Sequence, residues 1–191
     1  LLVELESLKA EFSEAMAIYS KWHLLQPKNP ESIACMATLH LRHQRFLLGW
    51  KQYEAGLEDQ GSFFKNQFYR INNGKGRMPF DNYHNEKKQL WDGKPFDGTL
   101  LIYGEQGLGD LVMFYTLLAD IIKIHDEIFI KTDIRLKNLL EKTYPTIKVF
   151  SSDEIVQENL YSKYIACGSL CKFIRNSKEE FIDSSSKKYE V

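Results

Sequence analysis

The sequence predicts a protein of two parts: helical-hairpin repeats followed by an α/β unit with a parallel sheet. Three observations predict this. Aromatic and small residues recur at a fixed interval in the first sixty residues, a polar segment with Gly, Pro and Asn follows, and strand-like runs then alternate with helical patterns. Such alternation with short connections is typical of right-handed βαβ units. We therefore expect repeats over 1–60, an aromatic-rich linker over 61–97 and a parallel-sheet unit over 98–191.

The repeat is carried by matched positions in two segments, "EFSEAMAIYSKW" and "RFLLGWKQYEAG". The pairs 34 residues apart are Phe12 and Phe46, Ala15 and Gly49, and Tyr19 and Tyr53. A small residue lets two antiparallel helices approach, and an aromatic residue four positions later fills the space between repeats. The 34-residue period resembles tetratricopeptide repeats over residues 1–60. We expect helices near 1–9, 12–25, 31–43 and 46–58; the alternative is an unrelated pair of helical hairpins.

The segment "QPKNPES", 26–32, is predicted to join the two repeats. Pro27 ends a helix because proline lacks an amide hydrogen and clashes with the preceding turn. Asn29 is then a candidate cap, and Pro30 suits the first position of the next helix.

The linker is expected to pack onto a neighbouring domain, because it carries too many aromatic residues for a free connection: Phe63, Phe64, Phe68, Tyr69, Phe80 and Tyr83. At its end, "LWDGKPFDG" contains two Asp-Gly turns, and the first is predicted to bring Trp91 against the body of the protein.

The C-terminal part reads as a Rossmann-like unit of about half the usual doubly wound sheet. Its predicted strands are short apolar runs, as strands buried on both faces should be. We expect strands at 99–103, 127–132, 147–150 and 163–167, and helices at 107–125, 133–144 and 153–160.

Composition narrows the class of protein. The formal net charge of -1 gives no indication of a nucleic-acid partner. The longest apolar run, 111–119, is about half of a membrane span. The odd count of cysteines, Cys35, Cys167 and Cys171, indicates a reducing compartment, so we expect a cytoplasmic protein with small buried cysteines. Because the chain begins within a helical pattern and without methionine, we expect a fragment or a trimmed form.

The turn "GEQGLGD", 104–110, lies between a predicted strand and a predicted helix. In parallel α/β sheets ligands collect at this place, where glycines permit close approach and helix amides can hold an anion. Neither the dinucleotide spacing nor the Walker pattern is present. Asp110, in the first helical turn, could accept a proton from a substrate hydroxyl. The alternative is that Asp110 caps its helix and Glu105 is a solvated loop acid.

The stretch "LWDGKPFDGTLLIYGEQGLGDLVMFYTLLADI" resembles bacterial tetratricopeptide-repeat proteins that carry a heptosyltransferase-like glycosyltransferase domain of the B-type fold. "EIFIKTDIRLKNLLEKTYPTIKVF" continues the resemblance, and "GSLCKF", 168–173, is similar to a later S-L-P segment with Cys171 in place of proline. The family shares a G-x-G-D turn whose Asp is regarded as the catalytic base; here that residue is Asp110.

The resemblance implies transfer of a sugar from a nucleotide-sugar donor to a hydroxyl acceptor. Asp110 would be the base, and the predicted substrate-binding residues are Glu105, Gln106, Gly107 and Gly109. The second domain of the B-type fold, which holds the donor, has no counterpart here, so we expect the chain alone to be inactive. No metal or other cofactor is implied, and the repeats would recruit a protein or glycan acceptor. The alternative is a non-catalytic interaction module with a remnant α/β domain.

Overall fold

The computed structural model describes residues 2–27, 30–57, 89–105 and 107–182. The described residues form two compact units: a helical unit of 2–57 with 175–182, and a sheet unit of 89–174. The aromatic part of the predicted linker, the predicted cap Asn29 and the predicted site residue Gln106 lie outside the described residues. Within the described ranges, no helix has the length and apolar character needed to cross a membrane.

The helical unit begins with three helices: α1 (Leu2–Leu25), α2 (Pro30–Arg42) and α3 (Phe46–Tyr53), the last followed by a 3-10 turn (Glu54–Leu57). Pro30 opens α2, as predicted. The prediction of separate helices at 1–9 and 12–25 is wrong, because α1 runs through both. Ala10 and Glu11 are good helix formers, so nothing local interrupts the helix there.

Helices α2 and α3 form a hairpin whose connection contains Gln44 at φ 58. Gly49 lies at their closest approach, since a Cβ atom there would be 2.6 Å from Leu41 Cδ2 and 3.1 Å from Leu41 N. The small residue expected at this crossing is therefore required by the packing. No strand occurs in the described part of residues 2–57.

The sheet unit contains five parallel strands: β1 (Gln89–Leu90), β2 (Leu100–Tyr103), β3 (Ile128–Thr132), β4 (Lys148–Ser151) and β5 (Lys163–Ala166). Their order is β1-β5-β2-β3-β4. Leu101 pairs with Phe129 on one side and Tyr164 on the other. The predicted α/β unit with a parallel sheet is thus confirmed, and β2 lies at its centre.

The helices of the sheet unit are α4 (Leu108–Tyr115), α5 (Leu118–Ile124), α6 (Ile134–Thr143) and α7 (Cys171–Ile174), with 3-10 turns at Glu158–Leu160 and Cys167–Leu170. The single helix predicted over 107–125 is interrupted after α4. There the Thr116 hydroxyl and amide both donate to the Met113 carbonyl, at 2.6 and 3.2 Å, which tightens the helix end.

The helix predicted over 153–160 is wrong except for its final 3-10 turn. Glu154 instead accepts hydrogen bonds from the Ser151 amide and hydroxyl at 2.6 and 2.8 Å. The Lys137 ammonium, 2.7 Å away, and these Ser151 groups lower the pKa of Glu154 to about 2. Ile155 is 86% exposed, so a helix here would have buried little apolar surface.

Trp91 anchors the segment before β2, as its Asp-Gly turn predicted. Its side chain is buried, its indole N–H donates to the Lys94 carbonyl at 2.7 Å, and its ring packs edge-on against Phe173. Gly93 has φ +83, and a Cβ atom there would lie 2.5 Å from the Phe173 ring. The turn therefore requires glycine both for its backbone and for the close packing.

The last described helix, α8 (Lys178–Ile182), belongs to the helical unit. Phe181 packs against Phe46 at 4.6 Å between ring centroids, and the Trp50 indole donates to the Arg175 carbonyl at 2.7 Å. The predicted domain boundary at residue 98 grouped residues 175–182 with the sheet. The contacts of Arg175 and Phe181 join residues far apart in the sequence, so no local pattern indicated them.

His40 makes the helical unit sensitive to pH. Its side chain is buried against Phe12, and burial, together with Arg45 and His43, lowers its pKa. The unfolded chain therefore binds a proton more readily, and stability should fall as the pH drops below about 6.5 and level off below the folded pKa.

The free energy of unfolding, measured by urea denaturation at several pH values between 7 and 5, checks this expectation. His40→Gln should flatten the pH dependence, and Arg45→Gln should weaken it only in part because burial is the larger cause. An unchanged slope in His40→Gln would assign the acid sensitivity to other groups.

Candidate functional site

The topology directs attention to the carboxyl ends of β2 and β5. From β2 the chain proceeds to β3 and β4 on one side, and β5 then adds on the other side. This reversal of strand order is the topological switch point, and ligands of open α/β sheets bind outside the carboxyl ends of the strands there. The turn 104–110 follows β2, and the 3-10 turn Cys167–Leu170 follows β5. The candidate site comprises the described residues of the first segment, Gly104, Glu105 and 107–110, and the 3-10 turn after β5.

Glu105 joins the two turns. Its carboxylate accepts a hydrogen bond from the Cys167 thiol at 2.9 Å and one from the Gly168 amide at 3.3 Å. The residue is 4% exposed. The alternative interpretation of Glu105 as a solvated loop acid is therefore wrong. A buried carboxylate is costly unless hydrogen-bonded, and these donors offset that cost.

The glycines of the turn have different structural reasons. A Cβ atom on Gly104 would lie 2.5 Å from the Tyr115 hydroxyl and 2.7 Å from Leu111 Cδ2, so packing requires glycine there. Gly107 precedes α4 in an ordinary extended conformation and provides no side-chain cap. Apart from its chain neighbours and the backbone of its own helix, a Cβ atom on Gly109 would meet no described heavy atom within 4 Å, so the space beside it is open. Within the described ranges, positive φ among glycines is confined to Gly93 and Gly98.

Asp110 lies in the first turn of α4 and is exposed. Its carboxylate makes no hydrogen bond or ion pair with any other described residue, so no capping bond to the helix is present among them. The positive end of the helix favours a negative charge at this position. An exposed carboxylate beside the open space at Gly109 is available to a bound molecule.

Further buried polar residues lie at the carboxyl ends of the strands: Thr132 at the end of β3, Ser151 at the end of β4 and Ser169 after β5. The Thr132 hydroxyl has no hydrogen-bond partner among the described residues. At the end of β2, burial and a hydrogen bond with Tyr161 raise the pKa of Tyr103, so its phenol is neutral. These strand ends thus combine carboxylates with neutral hydroxyls.

Sequence reasoning identified the turn after β2 but missed its partners after β5. Cys167 and Gly168 are 62 and 63 residues from Glu105. The one available signal was the similarity noted for "GSLCKF", which begins at Gly168. Gln106 lies outside the described residues, so its predicted role stays a prediction. In the part of the chain that is described, no group of three or more His, Cys, Asp or Glu could hold a metal ion.

Comparison with known proteins gives one partial similarity. The chain is 30% identical to Protein FlbA from Caulobacter vibrioides over an aligned region of 169 residues. This region covers 82% of this chain and 24% of FlbA. The chain therefore spans about a quarter of the length of that relative. No protein-family model matches the chain, and no solved structure matches it.

Proposed function

We propose that this chain carries the acceptor-side half of a glycosyltransferase of the heptosyltransferase-like, B-type class, preceded by tetratricopeptide-like helices. The single observation that carries the proposal is the placement of Asp110. Its exposed carboxylate stands at the topological switch point, beside the open space at Gly109, without a capping bond among the described residues. The similarity of the "GEQGLGD" turn to that family supports the same assignment.

The proposed chemistry is displacement at the anomeric carbon of a nucleotide sugar. An acceptor hydroxyl forms the new C–O bond while the bond to the nucleoside diphosphate breaks, and that group leaves with the electron pair. Asp110 takes the hydroxyl proton, so it acts as a general base. Gly107 and Gly109 shape the surface against which the acceptor or the donor phosphates lie. A second domain would hold most of the donor.

Gly109→Ala separates a substrate surface from a structural turn. Alanine should stabilise the fold by about 0.5–1 kcal/mol, because it is the better helix former and its methyl group meets no described atom within 4 Å beyond its chain neighbours and its own helix backbone. If substrate fills that space, the added methyl group should weaken acceptor binding by roughly 5- to 150-fold, equivalent to about 1–3 kcal/mol. Thermal midpoint and acceptor KM, measured on a form of the protein that transfers sugar, check both effects.

Gly104→Ala is the matched control, because its Cβ would strike Tyr115 and Leu111. It should lower the thermal midpoint rather than raise it. A Gly109→Ala protein that is stabilised and binds acceptor normally would remove the open space from the proposed substrate surface.

The repeat assignment is also a proposal. Support comes from the 34-residue spacing and from the hairpin of α2 and α3, in which Gly49 permits the close crossing. The repeats would recruit a protein or glycan acceptor.

A groove in the helical unit favours a second candidate function, that of an interaction module. The groove has a volume of about 260 Å³, and Tyr19 and Tyr53, which are equivalent in the 34-residue repeat, both line it with Arg42. Arg42 forms no ion pair with any described residue. Loss of the Asp110 carboxylate should leave a function based on this groove unchanged, whereas it should abolish most sugar transfer.

The direct test of the proposed function is sugar transfer. A form of the protein that includes a donor-binding domain is incubated with nucleotide sugars and candidate hydroxyl acceptors, and products are followed by mass spectrometry. Transfer that depends on Asp110 supports the proposal. Binding of partners without transfer by any such form supports the interaction module.

A further inference from the structure

The N-terminus of α4 has no side-chain cap. Gly107 at its N-terminus has no side chain to cap the free amides, and the first helical hydrogen bond runs from the Leu111 amide to the Gly107 carbonyl at 2.9 Å. Asp110 contributes no hydrogen bond to a described residue. Among the described residues, the place of Asp110 is therefore set by the buried α4 side chains of Leu111, Phe114 and Tyr115 and by the backbone at Gly104 and Glu105 that precedes the helix.

That backbone is attached to both neighbours of β2. The Gly104 amide donates to the Lys131 carbonyl of β3 at 2.9 Å. One residue later, Glu105 receives the Cys167 thiol and the Gly168 amide from the turn after β5. A buried, hydrogen-bonded carboxylate fixes the relative position of the groups around it, since its loss would leave donors without partners.

We propose that Glu105 is a positioning residue whose buried carboxylate, by binding the Cys167 thiol and the Gly168 amide, holds the first turn of α4 and hence Asp110 against the turn after β5. The role of Asp110 as base rests on the proposed function, but the mechanical link does not. Glu105 was predicted from sequence to bind substrate. Its burial and its bonds to Cys167 and Gly168 are the observations behind this proposed positioning role.

Nuclear magnetic resonance of the 191-residue chain tests the link without any substrate. In Glu105→Ala, amide exchange at Gly168 should rise about tenfold or more, because its buried hydrogen bond is lost. Exchange at Leu111 should also rise, because the first turn of α4 would be held less firmly while its bond to the Gly107 carbonyl remains. The side-chain carboxyl resonance of Asp110 should shift in the same variant. Amides of β3 and β4, such as those of Ile130 and Val149, should change by less than about twofold, the scatter expected at distant sites.

Two variants serve as controls. Glu105→Gln keeps a carbonyl oxygen that can accept from Gly168, so it should restore much of the wild-type exchange and the Asp110 resonance. Glu127→Gln removes an exposed carboxylate just before β3, at the amino ends of the strands, and should change neither the amide exchange at Gly168 and Leu111 nor the Asp110 resonance. If Glu105→Ala does not fold, Cys167→Ala removes one of the two donors and should give the same local pattern with smaller amplitude.

The proposal is overturned if exchange at Gly168 is unchanged in the alanine variant, if exchange rises equally throughout the sheet, or if the Asp110 resonance does not move. It is supported by the local response with rescue by glutamine. If that response appears but Asp110→Asn leaves sugar transfer intact, the positioning role stands and the assignment of Asp110 as base fails.

Discussion

Replacing Asp110 by asparagine should lower turnover by about 10²- to 10⁴-fold in a form of the protein that transfers sugar, with little change in acceptor affinity. Asparagine preserves the shape of the side chain but cannot accept the hydroxyl proton. The side chain is exposed and makes no bond to a described residue, so the fold should be retained, with a loss of only about 0.3–1 kcal/mol from the missing charge at the helix N-terminus. Initial rates over a range of acceptor concentrations give turnover and KM separately.

The capping alternative predicts the opposite pattern for the same residue. Asparagine caps a helix nearly as well as aspartate, so turnover in Asp110→Asn would stay near normal, whereas Asp110→Ala would cost about 1 kcal/mol of stability. Comparing turnover and thermal midpoint for both variants decides between them. Near-normal turnover in the asparagine variant removes Asp110 from the catalytic role.

Replacing Trp91 by alanine should destabilise the sheet unit by about 3–5 kcal/mol, the usual cost of removing a buried tryptophan. The side chain is 2% exposed and contacts Phe173, and the backbone amide of Trp91 donates to the Tyr164 carbonyl at 3.0 Å. Its loss would open a cavity beside β5 and leave the Lys94 carbonyl without its indole donor. Urea denaturation followed by far-ultraviolet circular dichroism measures the change.

Trp22→Ala is the matched control, because Trp22 is half-exposed on α1 and its indole donates to the exposed Gln26 side chain. That variant should lose well under half as much stability, because truncating a partly exposed side chain removes less buried surface and leaves no enclosed cavity. A loss of less than about 1 kcal/mol in Trp91→Ala would mean that Trp91 is not a core anchor of the sheet.

The sequence was sufficient where the structure depends on local patterns. Strands β2 to β5 are apolar runs between turn residues, and each was placed within one residue of its observed bounds. Asp133 likewise begins α6 by accepting a hydrogen bond from the Arg135 amide at 3.0 Å, a short-range capping pattern.

Sequence reasoning failed where distant residues decide the structure. Strand β1 has only two residues and forms through its pairing with β5. Its Gln89 is matched to Lys163, which lies 74 residues later in the chain. In place of the helix predicted over 153–160, the chain forms hydrogen bonds from the Ser151 amide and hydroxyl to the Glu154 carboxylate. The partners of Glu105 come from the turn after β5, and nothing near Glu105 in the sequence indicates them.

The most direct test of the candidate site is to map where sugars bind on this chain. Amide resonances are recorded while uridine- and guanosine-diphosphate sugars and free monosaccharides are titrated to millimolar concentration. We expect changes confined to the turns at 104–110 and 167–170, reduced in Gly109→Ala, with weak binding of the monosaccharides and weak or no binding of the nucleotide sugars because a second domain would hold most of the donor. Changes confined to the groove of Tyr19, Arg42 and Tyr53, or no changes at the two turns with the free monosaccharides, would contradict the assignment of the switch point as the sugar-binding site.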